Sequence, residues 1–127
     1  MRSHIPADIR PPFARYSHGI EVPPGHRLLF ASGQLGIDPE DRIPADVEGQ
    51  TRRCFENIEA ILREAGMTLA DLVRINAYVT GREHLTGYMK VRDDYIADPP
   101  PASTLMIVSG FAREEFVVEI EVIAAAE

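Results

Sequence analysis

At 127 residues, with 45% apolar and 26% charged side chains, the chain has the makings of one soluble globular domain, with too little length for a second core and too much apolar content for a disordered tail. Its formal charge of −7 disfavours a nucleic-acid partner, which would require clustered Lys and Arg to displace counterions from phosphates. No apolar run approaches a bilayer span, the opening MRSHIPADIRPP lacks a secretory layout, and the single cysteine, Cys54, rules out an intrachain disulfide, so a cytoplasmic protein with no membrane partner is expected.

The proline-rich first dozen residues read as an arm that needs a neighbour to hold it. RYSHGIEV, the PPGH turn and RLLFASG together read as a hairpin whose second strand stops at Gly33. After the loop GIDPEDRIPAD, Asp46 is placed to cap a helix in which Val47, Thr51, Cys54, Ile58, Ile61, Leu62 and Ala65 recur at helical spacing, until Gly66 ends it. LVRINAYVT, residues 72–80, sets Val73, Ile75, Ala77 and Val79 against Arg74, Asn76 and Thr80, the period of a strand. A second helix fits Glu83 to Ala97, with Leu85, Tyr88, Met89, Ile96 and the stem of Arg92 near one face and the prolines as its stop. Two more strands follow, about Ala102 to Val108 and Glu115 to Ala124, joined by SGFAR.

The order ββαβαββ predicts one α+β domain over residues 1–127, with two helices on one face of a mixed sheet. In STLMIV, Leu105 and Ile107 point opposite to Thr104, Met106 and Val108, so both faces of that strand are apolar while two helices can cover only one. The uncovered face is therefore expected to pack against another copy of the chain.

Several residues can carry chemistry, each with a plainer alternative. Ser32 and Gly33 close a strand where backbone N–H groups and a hydroxyl can meet an oxyanion or carbonyl, or they simply form a glycine turn. Glu119 and Glu121 share one side of the last strand, where either can hold a water as general base or merely face solvent. Tyr16 can line a pocket or pack at the surface. Arg15, Arg74, Arg92 and Arg113 can each clamp a carboxylate, although most arginines are solvated. Cys54 lies on the apolar stripe of its helix and reads as packing. His4, His18, His26 and His84 are scattered, with no spacing that makes a metal site.

Taken together, RYSHGIEV, LLFASGQLGID, QTRRCFENIEAILREAGMTLADLVRINAYVT, PPAST and VEIEVIA resemble the RidA/YjgF family (also called L-PSP or reactive intermediate deaminase) from about Phe13 to Ala125. The resemblance implies a chorismate-mutase-like fold, assembled as a homotrimer around a central barrel, with small-molecule clefts between subunits. Its active members hydrolyse reactive enamines and imines to 2-keto acids and ammonia, without metal or cofactor. By position, Tyr16 would line the cleft, Ser32 and Gly33 would contact the ligand, and Glu119 would orient the attacking water.

The chain departs from the family pattern at three positions. Ser103 stands where deaminating members usually have the arginine that binds the substrate carboxylate, Leu105 where a cysteine is frequent, and Met89 where an asparagine is usual. Losing a buried charge-assisted pair removes roughly 2–5 kcal/mol of binding where the anion has no other partner. The expected ligand is accordingly neutral, larger or more apolar than a simple 2-imino acid, unless Arg15 or Arg113 replaces the missing charge. Hydrolysis of an enamine, imine or related carbonyl compound is one reading, and a non-catalytic metabolite-binding protein using the same cleft is the other. The ribonuclease label of some relatives conflicts with the acidic charge and the missing basic groove.

Overall fold

Asp46 caps the first helix as its spacing predicts: Oδ1 accepts a 2.8 Å hydrogen bond from the Gly49 amide, and α1 (Val47–Glu64) runs on from there. The chain leaves the helix through Gly66, whose φ of 71° is a left-handed conformation that side-chain-bearing residues rarely adopt. In a computed structural model that describes all of residues 1–127, α1 packs beside the shorter α2 (Leu85–Tyr95), the rings of Phe55 and Tyr95 stacking at 4.9 Å.

Both helices cover one face of a mixed sheet in which β3 (Arg27–Phe30), β7 (Val118–Ala126), β5 (Leu72–Val79) and β6 (Ala102–Ile107) lie in that order. A short β4 (Gln34–Leu35) also pairs with β7. β5 and β6 are parallel, as a crossover through α2 requires, and the other pairings are antiparallel. The alternation read from LVRINAYVT decides the core: Ile75, Ala77 and Val79 sit opposite Val122, Ile120 and Val118, and all six turn toward Cys54, Phe55, Ile58 and Leu62 of α1. Burying each larger aliphatic side chain contributes roughly 1.5–3 kcal/mol.

The opposite face carries Arg74, Asn76 and Tyr78 from β5 and Glu119 and Glu121 from β7. Around them Leu28, Phe30 and Met106 are 54%, 69% and 52% exposed, so the apolar second face expected of the sheet is present and uncovered within one chain. No helix is long and apolar enough to cross a membrane.

The N-terminal third differs from the sequence reading. The expected hairpin does not form: β2 (Gly19–Glu21) pairs instead with β1 (Arg2–His4), and β3 pairs with β7. The expected turn itself is present, with Gly25 at a φ of 83°, but the strands on its two sides take other partners, β2 the N-terminal arm and β3 the long β7. The arm thus finds its neighbour in β2, which places β1 and β4 outside the simple ββαβαββ order. At the other end β7 begins at Val118, not Glu115, because a buried side chain claims the preceding backbone. Gln50 accepts from the Val117 amide at 2.9 Å and donates to the Glu115 carbonyl at 2.8 Å.

Candidate functional site

The triple proline and Ser17 build a cavity beside α2 and β6. Ser17 is 1% exposed; its amide donates to the Pro101 carbonyl at 3.1 Å and its hydroxyl to the Pro100 carbonyl at 2.6 Å. These bonds pin the segment that precedes Ser17 across the start of β6. This partly open cavity measures about 370 Å³, and Tyr16, Met89, Ser103 and Leu105 line it together. Four of the seven residues singled out from sequence therefore meet in one place. Phe13 and Ala14 form the outer wall, and Tyr16 is held there because its hydroxyl accepts from the Phe13 amide at 3.2 Å, leaving its own proton to donate.

Another lining residue, Arg92, is one of the four arginines whose sequence context allows either a solvated charge or a carboxylate clamp, and the one whose stem falls on the apolar helix face. It lies one turn beyond Met89 on α2 and is 3% exposed. Nε and Nη2 both donate to Asp93 Oδ1, at 3.1 and 2.9 Å, and the guanidinium carbon stands 5.7 Å from the centre of the Tyr88 ring. Burial pushes the Tyr88 phenol up, and the neighbouring guanidinium opposes that rise.

The two arginines held in reserve as replacements are engaged elsewhere. Arg15 donates to the Asp93 and Ile96 carbonyls and to Asp98, while Arg113 pairs with Glu115 at 3.0 Å beside a different cavity that includes Asp41. Arg74 belongs to the open sheet face, where it donates to Thr104 at 2.7 Å. The helical spacing from Met89 to Arg92 is the one signal in the sequence that sets this arginine beside a residue of the cavity.

Glu119, Gly33 and Ser32 form a second group. A Cβ at Gly33 would stand 2.8 Å from Glu119 Cδ, so only glycine permits this approach. Ser32 is exposed, and its carbonyl accepts from the Gln34 side chain at 3.1 Å. The Glu119 carboxylate makes no hydrogen bond or ion pair within the chain, whereas Glu121 accepts from Tyr78 at 2.7 Å and from Asn76 at 3.3 Å. Burial, and then the charge of Glu121, hold the Glu119 carboxyl above its ordinary value.

The two groups do not meet within one chain. Ser103 stands opposite Ile75, on the helix-covered side, while Glu119 stands opposite Tyr78, on the open side, with β5 between their strands. Two strand spacings put them roughly 10 Å apart laterally before the separation along the strands is counted. The two groups therefore lie on opposite faces of one sheet. Cys54 joins neither: its thiol donates to the Gln34 carbonyl at 3.2 Å, and burial pushes it up to about 12, which leaves it protonated and inert. No three His, Cys, Asp or Glu side chains are grouped to hold a metal.

The family described as endoribonuclease L-PSP matches residues 8–126. A RutC family protein of Pyrococcus abyssi is 34% identical over 118 residues, covering 91% of this chain and 90% of its own. The mitochondrial protein mmf2 of Schizosaccharomyces pombe is 32% identical over 100 residues, 77% of this chain and 79% of its own. Among solved structures, YyfB of the conserved Rid protein family from Yersinia pestis superposes with a TM-score of 0.87 at 30% identity, covering 98% of each chain. RidA from an Antarctic Psychrobacter superposes with a TM-score of 0.75 at 28% identity, covering 99% of this chain and all of its own.

Proposed function

We propose, on the premise that this chain belongs to the endoribonuclease L-PSP family, the RidA/YjgF group whose motifs it carries, that it hydrolyses an enamine, imine or related carbonyl compound by adding water. The observation that carries this reading is Glu119: a carboxylate with no partner in its own chain, raised above its ordinary value, and packed against a glycine that leaves room beside it. A base so placed holds a water and takes its proton as the oxygen adds to the C=N carbon. That proton passes to nitrogen to give the carbinolamine; the hydroxyl proton then follows it to nitrogen as the C–N bond breaks, so that ammonia leaves and the carbonyl forms. The imine carbon is electrophilic in its own right, so the step calls for no metal or cofactor.

In this proposal the cleft is completed between copies of the chain, as a homotrimer with the open sheet faces turned inward. Two observations support it: the two groups lie on opposite faces of the sheet, and Leu28, Phe30 and Met106 are uncovered on the face that carries Glu119. Ser32, Gly33 and Ser103 orient the ligand and Tyr16 walls it. Met89 and Leu105 make the pocket less polar than one for a simple 2-imino acid, so the substrate is larger or more apolar.

The test is ammonia release from freshly generated 2-aminoacrylate and iminobutyrate, with native protein, Ser103→Arg and Glu119→Gln compared. Activity gained on Ser103→Arg and then lost about 10²–10⁴-fold when Glu119→Gln is added supports water activation by Glu119. Unchanged turnover in the Gln variant would eliminate that role. The apolar lining by Met89 and Leu105 also suits a protein that only binds a metabolite; capture of the ligand unchanged, with no ammonia from native protein or Ser103→Arg, would favour that second reading.

A further inference from the structure

The geometry points to Arg92 as the anion anchor of the Ser103 cavity, and to a ligand that joins one carboxylate to an apolar body; this rests on reading that cavity as the substrate cleft. A guanidinium removed from water is costly unless its donors are used. Arg92 is 4% exposed in its side chain, yet its only hydrogen bonds go to one oxygen of Asp93, a side chain that is itself 45% exposed. Only two of the five N–H donors are engaged in this way, and the buried Tyr88 hydroxyl beside the guanidinium can occupy at most one more.

The usual alternative for an arginine in the last turn of a helix is to bond the terminal carbonyls. Here Arg15 reaches in from the N-terminal segment and takes the Asp93 and Ile96 carbonyls instead. Competition for Arg92 from its own helix end is thereby reduced. An apolar residue would fill this place on the buried face of α2 at no desolvation cost, so packing alone gives no reason for a cation.

The cavity in front of Arg92 contains no carboxylate among its lining side chains. It offers the hydroxyls of Ser103 and Tyr16, and the apolar surfaces of Met89, Leu105 and Phe13. At the rim a second guanidinium, Arg10, lies 3.7 Å over the Phe13 ring. A planar carboxylate fits the open edge of a guanidinium and can accept from Ser103 as well, which leaves the rest of the ligand against the apolar wall. The cation comes from the helix, not from β6. The acid it holds is consequently set deeper toward α2, with its carbon skeleton toward Phe13.

Titration of the native protein with 4-methyl-2-oxopentanoate and with the corresponding neutral amide tests the assignment. The acid is expected to bind about tenfold or more tightly than the amide, the effect of one charge-assisted hydrogen bond. Arg92→Met should bring the two within about twofold of each other, and Arg92→Lys should retain part of the difference. Because a buried substitution can unfold the chain, Asp93→Asn provides an independent arm on an exposed side chain. Removing the competing carboxylate should tighten the acid several-fold and leave the amide unchanged.

Equal affinity for acid and amide, no saturable binding of the acid, an unchanged preference in Arg92→Met, or no gain in Asp93→Asn would each overturn the assignment. Both probes lack the C=N bond on which hydrolysis acts. A lost acid preference therefore counts against Arg92 and leaves Glu119 standing, whereas absent ammonia release with the preference intact counts only against the hydrolysis.

Discussion

The two faces of the sheet are written by the same alternating strands, yet they have opposite requirements. On the helix-covered face Ile75, Ala77, Val79, Val118 and Ile120 are fully buried, and the chain supplies everything they touch. On the other face a polar ladder runs from Thr104 through Arg74, Asn76 and Glu121 to Tyr78, with Leu28, Phe30 and Met106 uncovered around it. A face that pairs its polar groups, Glu119 excepted, but leaves large apolar side chains in water has the character of a surface suited to a partner. The contrast separates what one copy stabilises from what the proposed assembly would complete.

The largest effect that tests this contrast belongs to the covered face. Ile120→Ala leaves a cavity between β7 and α1 and is expected to cost about 2–5 kcal/mol, lowering the melting temperature by roughly 10 °C or more in a thermal melt. A much smaller drop would mean that the core closes over the gap and is less rigid than its burial implies.

An intermediate effect belongs to the open face. Phe30→Asp should leave the fold of a single copy within about 0.5 kcal/mol of native, because the side chain touches water in that copy. It should nonetheless shift the mass read by light scattering from assembly to monomer. An unchanged mass would remove the open face as the interface.

The smallest effect reads Glu119 itself. A carboxyl whose pKa is raised by folding takes up protons on folding between its ordinary value of 4.5 and the raised one. Its contribution to stability is present at low pH and is lost as pH rises through the folded value. Glu119→Gln should accordingly stabilise the protein slightly at pH 7, and that gain should vanish on acidification below the ordinary glutamate range. A gain that persists in acid would show that the side chain is held by something other than its desolvation and the charge of Glu121.

Much of this architecture is legible from local pattern. The cap at Asp46, the stop at Gly66 and the alternation over residues 72–79 each follow from a few neighbouring residues, because capping, left-handed turns and strand periodicity are short-range effects. Gly33 and Glu119 each stand out in the sequence, but their packing on one another does not, since nothing local relates positions so far apart in the chain.

The failures have the same root. The pairing of β2 with an arm seventeen residues upstream, rather than with the nearer β3, depends on where the long β7 offers a partner. Likewise Gln50 reads as an ordinary helix residue until Val117 and Glu115 arrive at its amide.

By itself, then, the sequence determined the two helices and the main strands of the sheet, which side of each is apolar, and the family motifs that raise Tyr16, Ser32, Gly33, Ser103 and Glu119 to notice. Only the tertiary structure decided that Ser103 and Glu119 face opposite ways, and that Arg92, not Arg15 or Arg113, stands in the cavity beside Ser103. Strand direction and burial emerge from the pairing of distant segments, and a charge becomes a candidate ligand group only when its surroundings leave its donors unused.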